Sequence, residues 1–292
     1  MDLPAVTILM AVRNGMPFLK YAVESILSQS YKNYNFIIVN NGSTDNSQKY
    51  LESLKDERIV ICNVPSVCIA EALNHGLEKI KTGYVAIMDS DDISYPERIS
   101  EETKFLNHHP DYVLVGTSIK YIGTENSGRT FSVKMPCSHE KIIRGLTTQK
   151  FVIAHSTVMI RTEALKEIGG YNNSCEYTPD VDLYLRLKSK GKFTNLNSIY
   201  SYVRLDKNSF TGRNLFTILK SQSLKAKKRS NKIGILLKKM SLWMDYFSQL
   251  IYKNALIKYL NGNSQLWLLM LTIAAFIYLP KAFFFAKEKI KY

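Results

Sequence analysis

Four short apolar runs, each followed by a polar loop and a segment of helical periodicity, restrict the possible folds of this chain more than any other feature. The runs are Val6–Val12, 36–39, Ile59–Val64 and 84–88. Between them, 18–29 carries Leu19, Ala22, Val23, Ile26 and Leu27 on one helical face, 48–54 is a second short helix, and 69–80 carries Ala70, Leu73, Leu77 and Ile80. Strands alternating with helices at this spacing predict parallel βαβ units. Ligands of such sheets bind beyond the carboxyl ends of the strands. Three polar loops, 13–15, 40–46 and 89–92, fall there. The expectation is one site built from all three.

The loop at 89–92 has unusual chemistry. The strand 84–88 runs into Asp89, Ser90, Asp91 and Asp92, and Pro96 then opens a helix. Carboxylates this close repel one another and raise one another's pKa unless a cation sits among them. Hard oxygen ligands favour Mg²⁺ or Mn²⁺, shared between one or two carboxylates and substrate phosphates. A solvated turn before a helix is the plainer alternative, and this stretch alone leaves both open.

The second half is less regular. Tyr112–Ile122 reads as a pair of strands ending in a turn at 123–128, and 156–160 as a strand just after His155. A helix over 162–168 is stopped by Gly169-Gly170. Pro179 starts a further helix that runs to Ser189, with Asp180 and Asp182 in its first turn, where carboxylates also complement the helix dipole. Arg98 and Arg186 lie on helices near acidic residues and are expected to be structural ion-pair partners.

In this order the motifs resemble the family 2 inverting nucleotide-sugar glycosyltransferases of GT-A fold, over about residues 4–206. The carrying residues are Val6 to Gly15, Asn40 to Ser47, Ala70 to Leu77, Met88 to Ser94, and Ile168-Gly169-Gly170-Tyr171 followed by Asp180 to Arg186. The resemblance implies an α/β, GT-A-like single domain over 1–206, with a mixed, mostly parallel central sheet flanked by helices. It implies donor-nucleotide contacts from Ala11, Arg13, Asn14, Asn41, Asp89 and Ser90, a metal (Mn²⁺ or Mg²⁺) on Asp91, and Asp180 as general base. Asp92, Asp182 and His155 are further candidates. An inverting transfer needs one carboxylate to take the acceptor proton and positive charge on the leaving diphosphate.

The chain departs from the family pattern in places. Asn41 stands where the family usually has Asp, and Pro179 replaces the acidic residue that often precedes the base, which leaves Asp180 alone or shifts the role to Asp182. Asp206 stands where the closing Tyr-Arg-x-His stretch frequently has His. No Gln-x-x-Arg-Trp motif is present, so single addition is expected rather than polymer synthesis. His155 either touches acceptor or diphosphate, or is a satisfied histidine beside a strand. Selectivity is expected in loops 123–150 and 171–179.

Charge divides the chain. Residues 1–200 carry 22 Lys+Arg and 22 Asp+Glu, whereas 201–292 carry 17 and 3. Residues 207–292 are therefore read as a basic, helical, membrane-associating tail, with Leu236, Met240, Trp243, Phe247, Leu250 and Ile251 as an apolar stripe. Within 265–286, the stretch 266–279 is uncharged and both flanks are basic. Fourteen residues are short for a span, and two basic flanks favour an in-plane or re-entrant helix on an anionic leaflet. The expected location is the cytoplasmic face of the cell inner membrane, peripheral or re-entrant. Met1 to Gly15 reads as a strand rather than a signal peptide, and Cys62, Cys68, Cys137 and Cys175 form no CxxC pair, as in a reduced compartment.

The expected partners are a nucleotide diphosphate sugar, a glycan or lipid-linked glycan acceptor, and an anionic membrane surface. Nucleic acid is not among them, since no nucleic-acid module accompanies the basic patch. Two alternatives stay open. One is a sugar nucleotidyltransferase, which usually carries a Gly-rich basic loop where this chain has only Arg13-Asn14-Gly15. The other is a catalytically inactive, membrane-bound nucleotide-binding protein.

Overall fold

The computed structural model describes residues 4–124, 128–148, 150–174 and 178–205, together with Ile257 and Asn261. The chain divides into two compact units, 1–121 with 132–203 and 122–131 with 204–292. In the second, the Leu205 N–H donates to the Ile122 carbonyl at 2.9 Å and the Thr124 N–H to Asn261 Oδ1 at 3.1 Å. The expected tail helix and the segment 265–286 lie outside the described residues. Among the described residues no helix is long and apolar enough to cross a membrane.

The first unit begins as the alternation predicts: β1 (Val6–Val12), α1 (Leu19–Leu27), β2 (Tyr34–Asn41), α2 (Ser47–Ser53), β3 (Ile59–Val64), α3 (Ile69–Leu77) and β4 (Tyr84–Asp89). β1 pairs in parallel with β2 and β4, and β2 with β3. Successive residues of these strands serve opposite faces, and both faces are covered, which is why they read as continuous apolar runs. Leu9, Ile37, Val39, Val85 and Ile87 pack on one side with Leu73 and Leu77. Ile8, Met10, Phe36, Ile38, Ala86 and Met88 pack on the other with Ile26, Ile99 and Leu106. Fully burying each such side chain contributes roughly 1.5–3 kcal/mol.

Beyond β4 come β5 (Ile93–Ser94), α4 (Arg98–His108), β6 (Tyr112–Ile122), β7 (Thr130–Val133), α5 (His139–Thr147), β8 (Met159–Arg161), α6 (Thr162–Glu167), α7 (Pro179–Leu187) and β9 (Lys192–Arg204). The sheet order is β3-β2-β1-β4-β8-β6-β9-β5, with β7 paired to β6. β8 runs antiparallel to β4 and β6, and β5 antiparallel to β9. The sheet is therefore mixed: β1–β4 form one parallel part, and the bonds of the Lys192 N–H to the Asp111 carbonyl and of the Leu205 N–H to the Ile122 carbonyl run β9 in parallel with β6.

Two local expectations are corrected. Tyr112–Ile122 is one eleven-residue strand, not a pair. The strand expected over 156–160 starts only at Met159, because His155–Thr157 forms a single 3-10 turn. There the Thr157 N–H and Oγ1 both donate to the Ala154 carbonyl, at 3.0 and 2.8 Å. This is a local alternative to the ladder that short hydroxyl side chains favour. The two arginines behave as expected, Arg98 pairing with Glu102 at 3.2 Å and Arg186 with Asp182 at 2.9 Å.

Candidate active site

The loops after β1 and β2 are bonded to each other. Asn14 adopts the left-handed region at φ 55°, and its Oδ1 accepts from the Thr44 N–H at 2.7 Å. The Gly15 N–H donates to Ser47 Oγ at 2.9 Å and the Met16 N–H to Asp45 Oδ2 at 3.1 Å. Burial alone would raise the Asp45 pKa, but hydrogen bonds from Ser47 and Met16 outweigh it and hold the carboxyl below its ordinary value. Gly42 turns the β2 loop at φ +59°, where a Cβ would meet the Ser66 nitrogen at 2.7 Å.

Asn41 lies in this wall at 4% exposure. Its Nδ2 donates to the Val67 carbonyl at 3.0 Å and its Oδ1 accepts the Val67 N–H at 2.8 Å. An aspartate could accept that N–H but could not donate to the carbonyl. Beside it Asn40 donates to Asn63 Oδ1 at 3.0 Å. The departure from the family pattern thus has a local cause, since the amide seams the β2 loop to the segment that follows β3.

The acidic loop resolves into distinct environments. Asp89 closes β4, in register with Ala11 of β1, and its side chain meets solvent. Asp92 is buried at 2% exposure. The loop is anchored from behind: the fully buried Gln29 donates to Ser94 Oγ at 3.1 Å and to the Tyr95 carbonyl at 2.8 Å. Arg98, also fully buried, donates to the Ile87 carbonyl at 2.9 Å. Asp89 reaches water yet sits in a densely walled cleft. That crowding, and then the charges of Asp91 and Asp180, push its pKa up to about 7, against a smaller opposing pull from Arg98.

Asp180 comes from the other half of the unit. Pro179 opens α7 at a position where its missing N–H costs nothing, and Asp180 follows in the first turn. Asp180 and Asp182 do not share an environment. Asp182 is held by Arg186, which also donates to the Ile168 carbonyl at 2.8 Å. Asp180 acts on a different set of groups, its charge being felt by Asp89, His155, Tyr171 and Tyr184. The structure therefore brings Asp89, Asp180 and His155 together and ties Asp182 into an ion pair. Arg13 is exposed in the β1 loop and Ser90 is half-buried in the loop after β4.

Residues that sequence reasoning passed over include Asn74, Tyr171 and Tyr184. The Asn74 amide accepts the Tyr171 N–H at 2.9 Å and donates to the Tyr171 carbonyl at 2.8 Å. Gly170, at φ +66°, permits this approach, since a Cβ there would meet Asn74 Oδ1 at 2.6 Å. The signal available in the sequence was the Gly-Gly-Tyr run and the placement of Tyr184 one turn after Asp180.

Among the described residues no group of three His, Cys, Asp or Glu side chains converges as a ready-made metal site. The donor set nevertheless suits a hard divalent cation. Crowded carboxylates, one of them pushed to about 7, are what a cation between them would relieve. A cation shared with phosphate oxygens needs only one or two protein carboxylates.

Residues 7–169 match the family described as glycosyl transferase family 2. This chain belongs to that family. EpsE of Bacillus subtilis (strain 168) is 31% identical to it over 220 residues, covering 72% of this chain and 76% of that one. The O-antigen biosynthesis glycosyltransferase WbnJ of Escherichia coli is 31% identical over 189 residues, covering 63% and 72%. Among solved structures, the mannosyltransferase PcManGT of Pyrobaculum calidifontis, in complex with GDP-Man and Mn²⁺, superposes with a TM-score of 0.58 at 17% identity, covering 94% of this chain and 81% of that one. The α/β fold is thus GT-A-like, and the chain is a glycosyltransferase. The family match stops short of Asp180, so the case for that residue rests on its place in the first turn of α7 and its charge acting on Asp89.

Proposed function

We propose that this glycosyltransferase is metal-dependent and inverting, and that it moves one sugar from a nucleotide diphosphate sugar to an acceptor hydroxyl. The acceptor in this reading is a glycan or lipid-linked glycan precursor of a surface polysaccharide. The observation that carries the proposal is the pair Asp89 and Asp180: a strand end and a helix start bring two carboxylates close enough that the charge of Asp180 acts on Asp89. Relatives named for polysaccharide biosynthesis support the pathway class, and the nucleotide sugar bound by PcManGT supports the donor class.

In this reading Asp180 takes the proton of the acceptor hydroxyl as that oxygen bonds to the anomeric carbon. The bond from the anomeric carbon to the phosphate oxygen breaks, and its electron pair leaves with the nucleoside diphosphate. Attack opposite the leaving group inverts the anomeric centre. Asp91, with Asp89 and Asp92 nearby, would hold Mn²⁺ or Mg²⁺, whose positive charge would stabilise the departing diphosphate. Ala11, Arg13, Asn14, Asn41 and Ser90 would face the nucleoside and its phosphates. The basic excess of 201–292 and the apolar segment 265–286 support a seat on the cytoplasmic face of the cell inner membrane.

Calorimetric titration with UDP, GDP, CDP and dTDP, with and without Mn²⁺, tests the reading. Tight binding of one diphosphate, lost without metal and lost in Asp91→Ala, is expected. If none of the four binds in the presence of metal, the proposal fails.

A further inference from the structure

Three titratable groups that the proposed chemistry does not use meet beside Asp180: the half-buried His155 and the buried Tyr171 and Tyr184. His155 heads the 3-10 turn, and both of its ring nitrogens are taken. Nδ1 lies 2.6 Å from the Tyr184 hydroxyl and Nε2 lies 3.1 Å from the Tyr171 hydroxyl. Both ring nitrogens are therefore satisfied by phenols.

The three side chains come from three different places. Tyr184 lies four residues after Asp180 on α7, and so on the same helical face. Tyr171 follows the Gly169-Gly170 turn, with its backbone gripped by Asn74 of α3. The turn that carries His155 leads into Val158, whose carbonyl accepts the Ile87 N–H at 2.8 Å, two residues before Asp89. A continuous path of bonds therefore runs from the strand bearing Asp89, through the turn and the imidazole, to the helix bearing Asp180.

A neutral imidazole offers one donor and one acceptor, so the two phenols take opposite roles. The phenol that accepts from the ring keeps its own hydrogen for another acceptor. After burial, the charge of Asp180 is the strongest influence on both phenols, ahead of Asp89. Burial holds the His155 pKa below its ordinary value, and burial together with these charges holds both tyrosines well above theirs. The cluster thus stays uncharged beside an acidic cleft.

We infer that His155, acting through Tyr171 and Tyr184, is a positioning residue that fixes Asp180 of α7 against the Asp89 end of β4. It sets the separation between the proton-accepting and donor-binding sides of the site. The inference rests on the transferase reading for its consequence in turnover, but its structural content can be measured without activity.

The test uses the full chain and two readouts. In His155→Leu, hydrogen exchange of the 180–187 amides should accelerate about tenfold. Turnover should fall about 100-fold, as for a base displaced by about 1 Å, while the Mn²⁺-dependent affinity for the nucleoside diphosphate stays within about twofold. His155→Gln, which keeps one donor and one acceptor, should recover part of the turnover. If His155→Leu does not fold, Tyr184→Phe and Tyr171→Phe take its place; each removes only a hydroxyl, and each should lower turnover about tenfold with donor affinity unchanged. Unaltered exchange of α7 in the variants that fold overturns the clamp, whatever the activity does. Faster exchange with parental turnover also overturns it, because the position of Asp180 would then not depend on His155. A parent chain that binds no nucleoside diphosphate sinks the transferase reading instead, and the exchange measurement still decides the clamp.

Discussion

The two walls of the cleft are held by different means. On the donor side, loops at the ends of parallel strands are bonded to their neighbours by short polar groups: Asn14 to Thr44, Gly15 to Ser47, Asn41 to Val67. The register of β1, β2 and β4 already places these loops side by side. On the base side Asp180 opens a helix instead of following a strand. Its helix packs Leu183 and Leu187 into the core and is tied by side-chain bonds from Arg186 to Ile168 and from Tyr184 to His155. A wall set by sheet register shares its load over many backbone bonds, whereas one set by a few side chains is exposed to single substitutions.

The largest effect that would sharpen this contrast is chemical. Asp180→Asn should lower turnover by about 10²–10⁴-fold, the usual contribution of a positioned acid or base. It should leave nucleoside diphosphate binding intact if the walls act separately. A variant that loses binding along with turnover would break the division between donor side and base side.

Next comes the support beneath the acidic loop. Arg98→Met strands the fully buried Glu102, whose carboxyl burial already pushes up to about 7, and should cost about 3–5 kcal/mol in denaturant unfolding. The double variant Arg98→Met with Glu102→Leu should recover most of that loss. If the double variant is as unstable as the single one, the bonds of Arg98 to the strand carbonyls, rather than its ion pair, hold this end of β4.

A smaller loss is expected where the donor wall uses an amide. Asn41→Asp replaces a donor with a carboxylate against the Val67 carbonyl and should cost about 1–3 kcal/mol. Unchanged unfolding would mean that register alone holds the wall.

The smallest effect concerns pH. The Asp89 pKa is about 7 in the folded chain against an ordinary 3.8, so the folded state keeps the extra proton between those values. Stability without metal should fall as pH rises from about 4 to about 7. Asp89→Asn removes that penalty. Allowing for screening at an exposed carboxylate, it should raise the metal-free Tm at pH 8 by about 2–4 °C, with the gain vanishing near pH 4. Equal melting of the parent and Asp89→Asn at both pH values would show that burial and the charges of Asp91 and Asp180 do not raise the Asp89 pKa.

Legibility followed the same division. The strands β1–β4 could be read because burial on both faces leaves continuous apolar runs, and their polar loops announce a shared end. α5 and β7 lie inside 123–150, which reads only as loop. β9 escaped notice because Lys192–Arg204 alternates weakly and is half-buried; its pairing with β5 supplies what its composition does not. The boundary of β8 was displaced by one threonine turning back on Ala154. Asp182 and His155 stood out in the sequence as candidates, but the chain order could not say which partner each would find.

Taken alone, the sequence determined the alternation of strands and helices, the meeting of three polar loops at one sheet end, the acidic run at 89–92, and two carboxylates opening a later helix. Periodicity and burial suffice for these, because they are properties of neighbouring residues. Only the tertiary structure decided that Asp89 faces solvent while Asp92 is buried, that Arg186 takes Asp182 while the charge of Asp180 acts on Asp89, and that His155 bonds two tyrosines. Each of these depends on partners brought together from distant parts of the chain, and spacing along a chain does not record which side chains will meet.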